Sequence, residues 1–241
     1  MKKTEQDQTL VLIKPDALKN SLTGYILSQL SEFHTGLRFA GMKIVNVNKM
    51  LAEEHYEEHR GKPFFPALLN YITGLVHYPK EPWRQRVIAI VYQGQDAVKK
   101  IRALAGPTNP DNAREERPGC IRALGTVVNI INEQGKIIGD RLDNLIHASA
   151  TDSEAEREIK LWFMPEDIPA AMRVYQTGSS DKTYYYRDGR ITSSYENGAT
   201  SILAQGEIAW KTDIDALKLL SQGKTASVPL NTVIAKYFIN L

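Results

Sequence analysis

Asn144-Leu145-Ile146-His147-Ala148-Ser149, continued through Ala150-Thr151-Asp152 into Ser153–Phe163 (SEAEREIKLWF), is the stretch on which the reading of this chain turns. Asn144 to Ala148 reads as a short strand, and residues 153–164 as a helix opening with two overlapping capping boxes, Thr151-x-x-Glu154 and Ser153-x-x-Glu156. On a helical wheel Ala155, Ile159, Trp162 and Phe163 form the apolar face, with Arg157 and Lys160 opposite. Glu158 falls between Leu161 and Trp162, and a carboxylate flanked by apolar side chains needs a partner, since burying it unpaired is costly. His147, at a strand end just before the helix, is a candidate. A glutamate accepting from one imidazole nitrogen would fix the tautomer and leave the other nitrogen free as a nucleophile. The same pattern also fits a histidine that is merely satisfied in place, and at this point both readings stand.

Working outward, Thr9–Ile13 is an apolar, β-branched run closed by Lys14-Pro15-Asp16, a buried strand delivering Lys14 at its C-terminal edge. Leu22, Ile26, Leu30 and Phe33 recur at helical spacing over 21–34. A second strand is expected over 38–49, short helices over 52–60 and 65–75, a buried strand over 87–92 and a helix over 95–104. The stretch 105–143 opens with prolines and glycines, read as a long loop, and ends in a hairpin-like pair, TVVNIIN and KIIGD. This order suggests an α+β sandwich. Beyond residue 165, Thr183–Arg187 and Arg190–Thr192 read as a hairpin about an Asp188-Gly189 turn. Thr212 or Asp213 is expected to cap a helix ending at Gly223, and Leu230, Val233, Ile234, Tyr237 and Phe238 form another apolar stripe.

The chain has 241 residues, about 1.6 domains at roughly 150 residues each, so there is a surplus over one domain to be placed. With 42% hydrophobic and 24% charged residues it has the composition of an ordinary globular protein. The longest apolar run, Val87–Tyr92, is far short of the about twenty residues that a membrane helix needs. The N-terminus follows Lys2 and Lys3 with polar residues rather than an apolar segment, so no secretory signal and a cytoplasmic location are expected. One cysteine, Cys120, makes neither an internal disulfide nor a cysteine-based zinc site. The net charge of +2 gives no electrostatic case for a dedicated nucleic-acid partner, and residues 165–241 carry 8 basic and 8 acidic residues, so the tail is not a basic arm.

Three patterns imitate chemistry. Gly223-Lys224-Thr225 has the end of a phosphate loop, but Lys218 stands where the first glycine belongs and no strand closely precedes it. His55-Tyr56-Glu57-Glu58-His59 matches an inverted zinc-protease pattern, without any signalled third ligand; its plain reading is a surface helix with two solvated histidines. Tyr184-Tyr185-Tyr186 on a hairpin is better read as packing than as a base-stacking platform.

Five separated blocks, TLVLIKPD (9–16), HYEEHRGKPFFPAL (55–68), RALAGPTNP (102–110), PGCIR (118–122) and NLIHASATDSEAEREIKLWF (144–163), resemble in order and content the nucleoside diphosphate kinases. The resemblance implies a ferredoxin-like antiparallel sheet with helices on its face over residues 1–165, with insertions about 76–86 and 124–142. Residues 166–241 form a small α+β appendage expected to pack on the core or on a neighbouring subunit. It also implies a ping-pong reaction in which a nucleoside triphosphate phosphorylates His147 and the phosphohistidine then phosphorylates a nucleoside diphosphate. The alternative is a non-catalytic nucleotide-binding or scaffolding relative. Ser149 and Glu158 match the residues that orient the histidine. Lys14 matches the strand-end lysine and Tyr56 the tyrosine near the active histidine. Arg102, Thr108 and Arg122 match phosphate-binding positions, Asn144 the sugar contact, and Phe64 and Leu68 the pair that sandwiches the base. Magnesium is expected with the nucleotide, with Glu58 reaching it through water, and the partners implied are nucleotides and further copies of the chain. Ala150 stands where the family has an aspartate, and Asn20 where a basic residue is common.

Overall fold

The computed structural model describes residues 7–238, so the reading of Lys2 and Lys3 lies outside the described residues. The chain forms two compact units, one of residues up to Asn46 with Asn70–Ala155, the other of Val47–Leu69 with Glu156 onward.

In the first unit Gln8–Ile13 (β1) is buried at every position. Pro15, unable to donate to a ladder, instead begins Pro15–Lys19 (α1), at the helical position where a missing N–H costs nothing. The helix expected over 21–34 arrives in two pieces, Thr23–Gln29 (α2) and Glu32–Thr35 (α3). Ser31 divides them: its backbone is extended and its hydroxyl accepts from the His34 N–H, so a serine inside an apolar periodicity opens a new helix. The strand expected to reach residue 49 ends earlier, as Arg38–Val45 (β2). The chain enters the second unit for Lys49–His55 (α4) and returns within Phe65–Ile72 (α5).

Val87–Gln93 (β3) and Ala97–Ala105 (α6) follow as expected. The loop expected from residue 105 instead contains a helix, Pro110–Glu116 (α7). Its start signals were present: the Asn109 side chain accepts from the Asp111 N–H at 2.8 Å, Pro110 takes the first turn, and Asp111 faces the helix dipole. The expected hairpin is Thr126–Ile131 (β4) and Ile137–Asp143 (β5), turned by Asn132, whose Oδ1 accepts from the Gln134 and Lys136 N–H groups, with Gly135 at φ 76°. The last strand is Ile146–Ala148 (β6).

β1, β2, β3 and β6 form a four-stranded sheet in the order β2-β3-β1-β6, antiparallel throughout, and β4 and β5 pair apart from it. Val11, Ile13, Ile90, Tyr92, Ile146 and Ala148 line one face and pack against Ile26 and Leu30 around α2 and Ile101 and Ala105 of α6. The α+β class and the helix-covered antiparallel sheet are those expected from the sequence.

Asp152–Trp162 (α8) leads from the first unit into the second. Thr151 caps it, its hydroxyl accepting from Glu154 N–H at 3.1 Å, while the Glu154 carboxylate accepts from Ala150 N–H. The second expected box, from Ser153 to Glu156, begins inside the helix and is not used. Beyond it lie Thr177–Ser179 (β7), Tyr184–Arg187 (β8), Arg190–Thr192 (β9), Thr200–Leu203 (β10), Ile208–Trp210 (β11), Lys211–Leu220 (α9) and Leu230–Tyr237 (α10). β10-β8-β9 and β11-β7 are separate sheets. Asp188 and Gly189 both have positive φ, as a tight hairpin turn requires. Tyr184, Ile191, Leu203, Leu217, Val233 and Tyr237 belong to one core, and Tyr186 packs on it. Neither Thr212 nor Asp213 caps α9, which starts at Lys211: the Asp213 carboxylate is buried and takes two bonds from Lys236 Nζ, at 2.8 and 2.9 Å. Trp210, fully buried, donates from Nε1 to the Phe163 carbonyl at 2.7 Å and so fixes this region to the end of α8.

Candidate active site

His147 is the middle residue of β6 and pairs with Leu12 of β1. Its neighbours Ile146 and Ala148 face the helix-packed core, so by strand alternation His147 points to the other face. The residues just before it are unusually constrained. Leu145 has φ 70°, in the left-handed region that a branched side chain rarely adopts. This explains why the strand expected from residue 144 begins at 146. The Leu145 N–H donates to Asp16 Oδ2 at 2.8 Å and the Leu145 carbonyl accepts from the Lys14 N–H at 2.9 Å. A strained residue persists only where its surroundings hold it, and here both backbone polar groups are held by the turn that follows β1.

That turn also presents Lys14. Its ammonium is buried, donates to Asn144 Oδ1, and lies 4.5 Å from the centroid of the Tyr71 ring. Asn144 passes the connection on, donating to the Thr108 carbonyl at 2.8 Å. Burial pushes Lys14 down from 10.5 to about 8; Asp16 and Asp143 pull it up, and Arg122 opposes them. Arg122 is itself buried, with its guanidinium donating to the Gly106 and Ile146 carbonyls at 2.8 and 3.2 Å. Gly106 has φ 81°, and a Cβ there would lie 2.2 Å from Cys120 Sγ, so the close approach that seats Arg122 needs glycine. Ser149 is fully buried and its hydroxyl accepts from the Leu10 N–H at 3.2 Å. Arg102 and Thr108 are exposed, and Arg102 beside an open cavity of about 900 Å³ that Lys99, Arg117 and Ala150 also line.

The two stretches read as insertions meet beside this group. His77 Nε2 lies 3.1 Å from Asp143 Oδ2, and Arg141 donates to both Asp143 oxygens at 2.8 and 3.0 Å. Burial alone would raise the Asp143 carboxyl, but its bonds to His77 and Arg141 hold it at about 2. Asp143 directly precedes Asn144, so this cluster, buried at His77 and Asp143, anchors the hairpin where it joins the site strand.

Tyr56, Glu58, Phe64, Leu68 and Glu158 belong to the second unit. Glu158 is buried on α8, as its place between Leu161 and Trp162 requires, and within its unit its Oε1 lies 3.8 Å from His55 Nδ1 and 3.9 Å from Arg157. The helix expected over 52–60 stops at His55, and Glu57–His59 is a separate 3-10 turn. The i, i+4 relation that would place His55 and His59 on one helix face is therefore lost. His55 is not solvated either: it is 2% exposed, and its Nδ1 accepts from Trp162 Nε1 at 3.1 Å. Arg157, assigned by the helical wheel to the face opposite the core, donates to the Glu54 and His55 carbonyls at 3.0 and 3.2 Å. Phe64 is 51% exposed, with His59 edge-on at 5.5 Å, and Leu68 is half-buried. Gly223 follows helix α9 rather than a strand, so it opens no phosphate loop.

Sequence reasoning passed over Asp16 and Tyr71. Asp16 stood in the quoted TLVLIKPD block, but nothing there announced that its carboxylate would hold a left-handed leucine 129 residues away.

The profile of the family Nucleoside diphosphate kinase matches residues 7–168. The nucleoside diphosphate kinase of Pyrococcus furiosus is 44% identical over 164 residues, covering 68% of this chain and 87% of that protein. The solved structure of the Aquifex aeolicus nucleoside diphosphate kinase is similar with a TM-score of 0.54 and 30% identity, over 68% of this chain and 99% of that one. A halophilic nucleoside diphosphate kinase from Halobacterium salinarum, solved in complex with CDP, has a TM-score of 0.52 and 32% identity over 70% of this chain and 95% of its own.

Proposed function

The chain belongs to the nucleoside diphosphate kinase family, and from that premise we propose that its phosphoryl transfer runs through His147. The activity is that of the family: the γ-phosphate of a nucleoside triphosphate passes to a nucleoside diphosphate. In the first half-reaction an imidazole nitrogen of His147 attacks the γ-phosphorus, a P–N bond forms, and the bond to the bridging oxygen breaks to release the nucleoside diphosphate. In the second, the terminal phosphate oxygen of an incoming diphosphate attacks the phosphohistidine and the P–N bond breaks. Such transfer depends on position and on neutralising charge over the phosphate oxygens.

The observation that carries the assignment is the frame just before the nucleophile: Asp16 and the Lys14 backbone fix Leu145, and Lys14 fixes Asn144. Lys14, Arg102 and Arg122 supply positive charge, with Thr108 as a further phosphate contact. Asn144 meets the sugar, and Ser149 and Glu158 orient His147, with Tyr56 beside the reacting group. Phe64 and Leu68 hold the base by its faces, which tolerates purines and pyrimidines alike. Magnesium bound with the nucleotide supplies charge neutralisation at the phosphates. The Glu58 carboxylate, 60% exposed, fits an approach to it through water. A homo-oligomer belongs to the same reading, supported by the edge strand β2 with Met42 and Ile44 exposed; mass in solution is its check. No helix among the described residues is long and apolar enough to cross a membrane. A cytoplasmic setting belongs to the same proposal and is checked by fractionation.

Incubation with γ-labelled ATP and magnesium is expected to give an acid-labile, base-stable phosphoprotein whose label is chased by nucleoside diphosphate and is sharply reduced by chelation of the metal. Tight nucleotide binding by a protein that never labels would instead identify the non-catalytic relative.

Lys14 gives this reading a pH signature. In the free protein its ammonium titrates near pH 8, so kcat/KM is expected to fall about tenfold per pH unit above that point. Lys14→Arg, which keeps its charge, should flatten that limb. Stability moves the other way. The folded value lies below the unfolded 10.5, so between about 8 and 10.5 the unfolded chain binds more protons and Lys14's contribution to folding rises with pH. Loss of activity over this window, with no loss of fold by circular dichroism, separates titration from denaturation. An alkaline limb that persists unchanged in Lys14→Arg would assign it to another group.

A further inference from the structure

Residues 47–69 lie inside the family-matched part of the chain, yet they form a compact unit with Glu156 onward, which contains the extension beyond residue 168. Helix α10 of the extension packs on α4, the helix that leads into Tyr56. We propose that the extension is a positioning element for the nucleotide-binding segment, acting through Thr232 on Glu54. The inference rests on the reading of Tyr56, Phe64 and Leu68 as nucleotide-binding residues.

Glu54 is 4% exposed, and each carboxylate oxygen is engaged from a different direction. Oε2 accepts from the Thr232 hydroxyl of α10 at 2.5 Å, and Oε1 accepts from the Arg60 guanidinium. The Arg60 bond runs from the last turn of α4 to the far side of the 3-10 turn, so it closes the short loop that contains Tyr56 and Glu58. Thr232 keeps that carboxylate from rotating away. Arg157 donates to the Glu54 and His55 carbonyls, which are orphaned at the helix end, and Trp162 donates to the His55 ring. The two residues before Tyr56 are thereby fixed by Arg60, by helix α8 and by one hydroxyl from the extension. Of these contacts only Thr232 comes from outside the family-matched residues.

A hydrogen bond to a charged acceptor is among the stronger ones, and removing its donor leaves a buried carboxylate oxygen short of a partner. Thr232→Val keeps the shape and removes the hydroxyl. In the full chain it is expected to raise KM for the nucleoside diphosphate about five- to tenfold, with kcat held within about twofold. Thr232→Ser restores the hydroxyl and should restore KM. An unchanged KM in Thr232→Val, or a loss of activity that follows the folded fraction in a thermal melt and is not rescued by Thr232→Ser, overturns the proposal. The premise fails differently: a wild-type protein that neither labels nor transfers phosphate defeats the functional reading, whereas an active wild type with an indifferent Thr232→Val defeats only this inference.

Discussion

His147→Ala is expected to reduce phosphoryl transfer by at least about a thousandfold and to abolish labelling by γ-labelled ATP, because it removes the atom that carries the phosphate between half-reactions. No substitute is placed on the same strand: Ile146 and Ala148 offer no nucleophile and face the core. The nearby cations can still hold phosphate, so the variant should bind nucleotide while failing to turn it over. His147 is only half-buried, so truncation should cost of order 1 kcal/mol of stability, and loss of activity through unfolding is then excluded by an ordinary melt. Retention of an acid-labile label on His147→Ala would place the phosphate elsewhere and overturn the assignment. A parallel-line initial-rate pattern in the wild type, lost in the variant, checks the same step kinetically.

What the sequence disclosed depended on how local the determining contacts were. β1, β3 and the hairpin were legible because their signals, apolar runs and turn residues, lie within the elements themselves. Helix α7 was missed although Asn109, Pro110 and Asp111 announce a helix start, because proline and glycine on either side suggested a loop. The broken helix at Ser31 failed for the opposite reason: periodicity over a long window outweighed one side chain able to cap. In the site, the residues proposed to carry chemistry came from the blocks of family resemblance. The residues that hold them were less legible. Asp16, Tyr71 and Arg157 act through contacts that are distant in sequence, and Arg157 even lies on the side of its helix that a wheel assigns to solvent. A left-handed leucine at position 145 has no sequence signature, because leucine gives no hint of positive φ.

The extension offers the second large effect, and here stability is the readout. Lys236→Met is expected to destabilise the fold by about 3–5 kcal/mol, because it leaves the fully buried Asp213 without its cation. The pair is not itself an efficient source of stability, since both ions lose their hydration on burial. Replacing both, as Asp213→Leu with Lys236→Met, should therefore recover most of the loss, and denaturant unfolding of the two variants tests the asymmetry. Tyr237, next in α10, feels the same charge: burial and Asp213 both push its phenol well above the ordinary value, so it stays neutral and offers no alternative anion or cation to the pair. The consequence reaches beyond the extension because Lys236 and Thr232 share helix α10, one turn apart. Loosening α10 at Asp213 withdraws support from Glu54 and the Tyr56 turn. At a temperature where the single variant remains folded, its nucleotide KM should then rise as in Thr232→Val, and the double variant should bring it back. Recovery of stability without recovery of KM would mean that α10 holds its own core and nothing more.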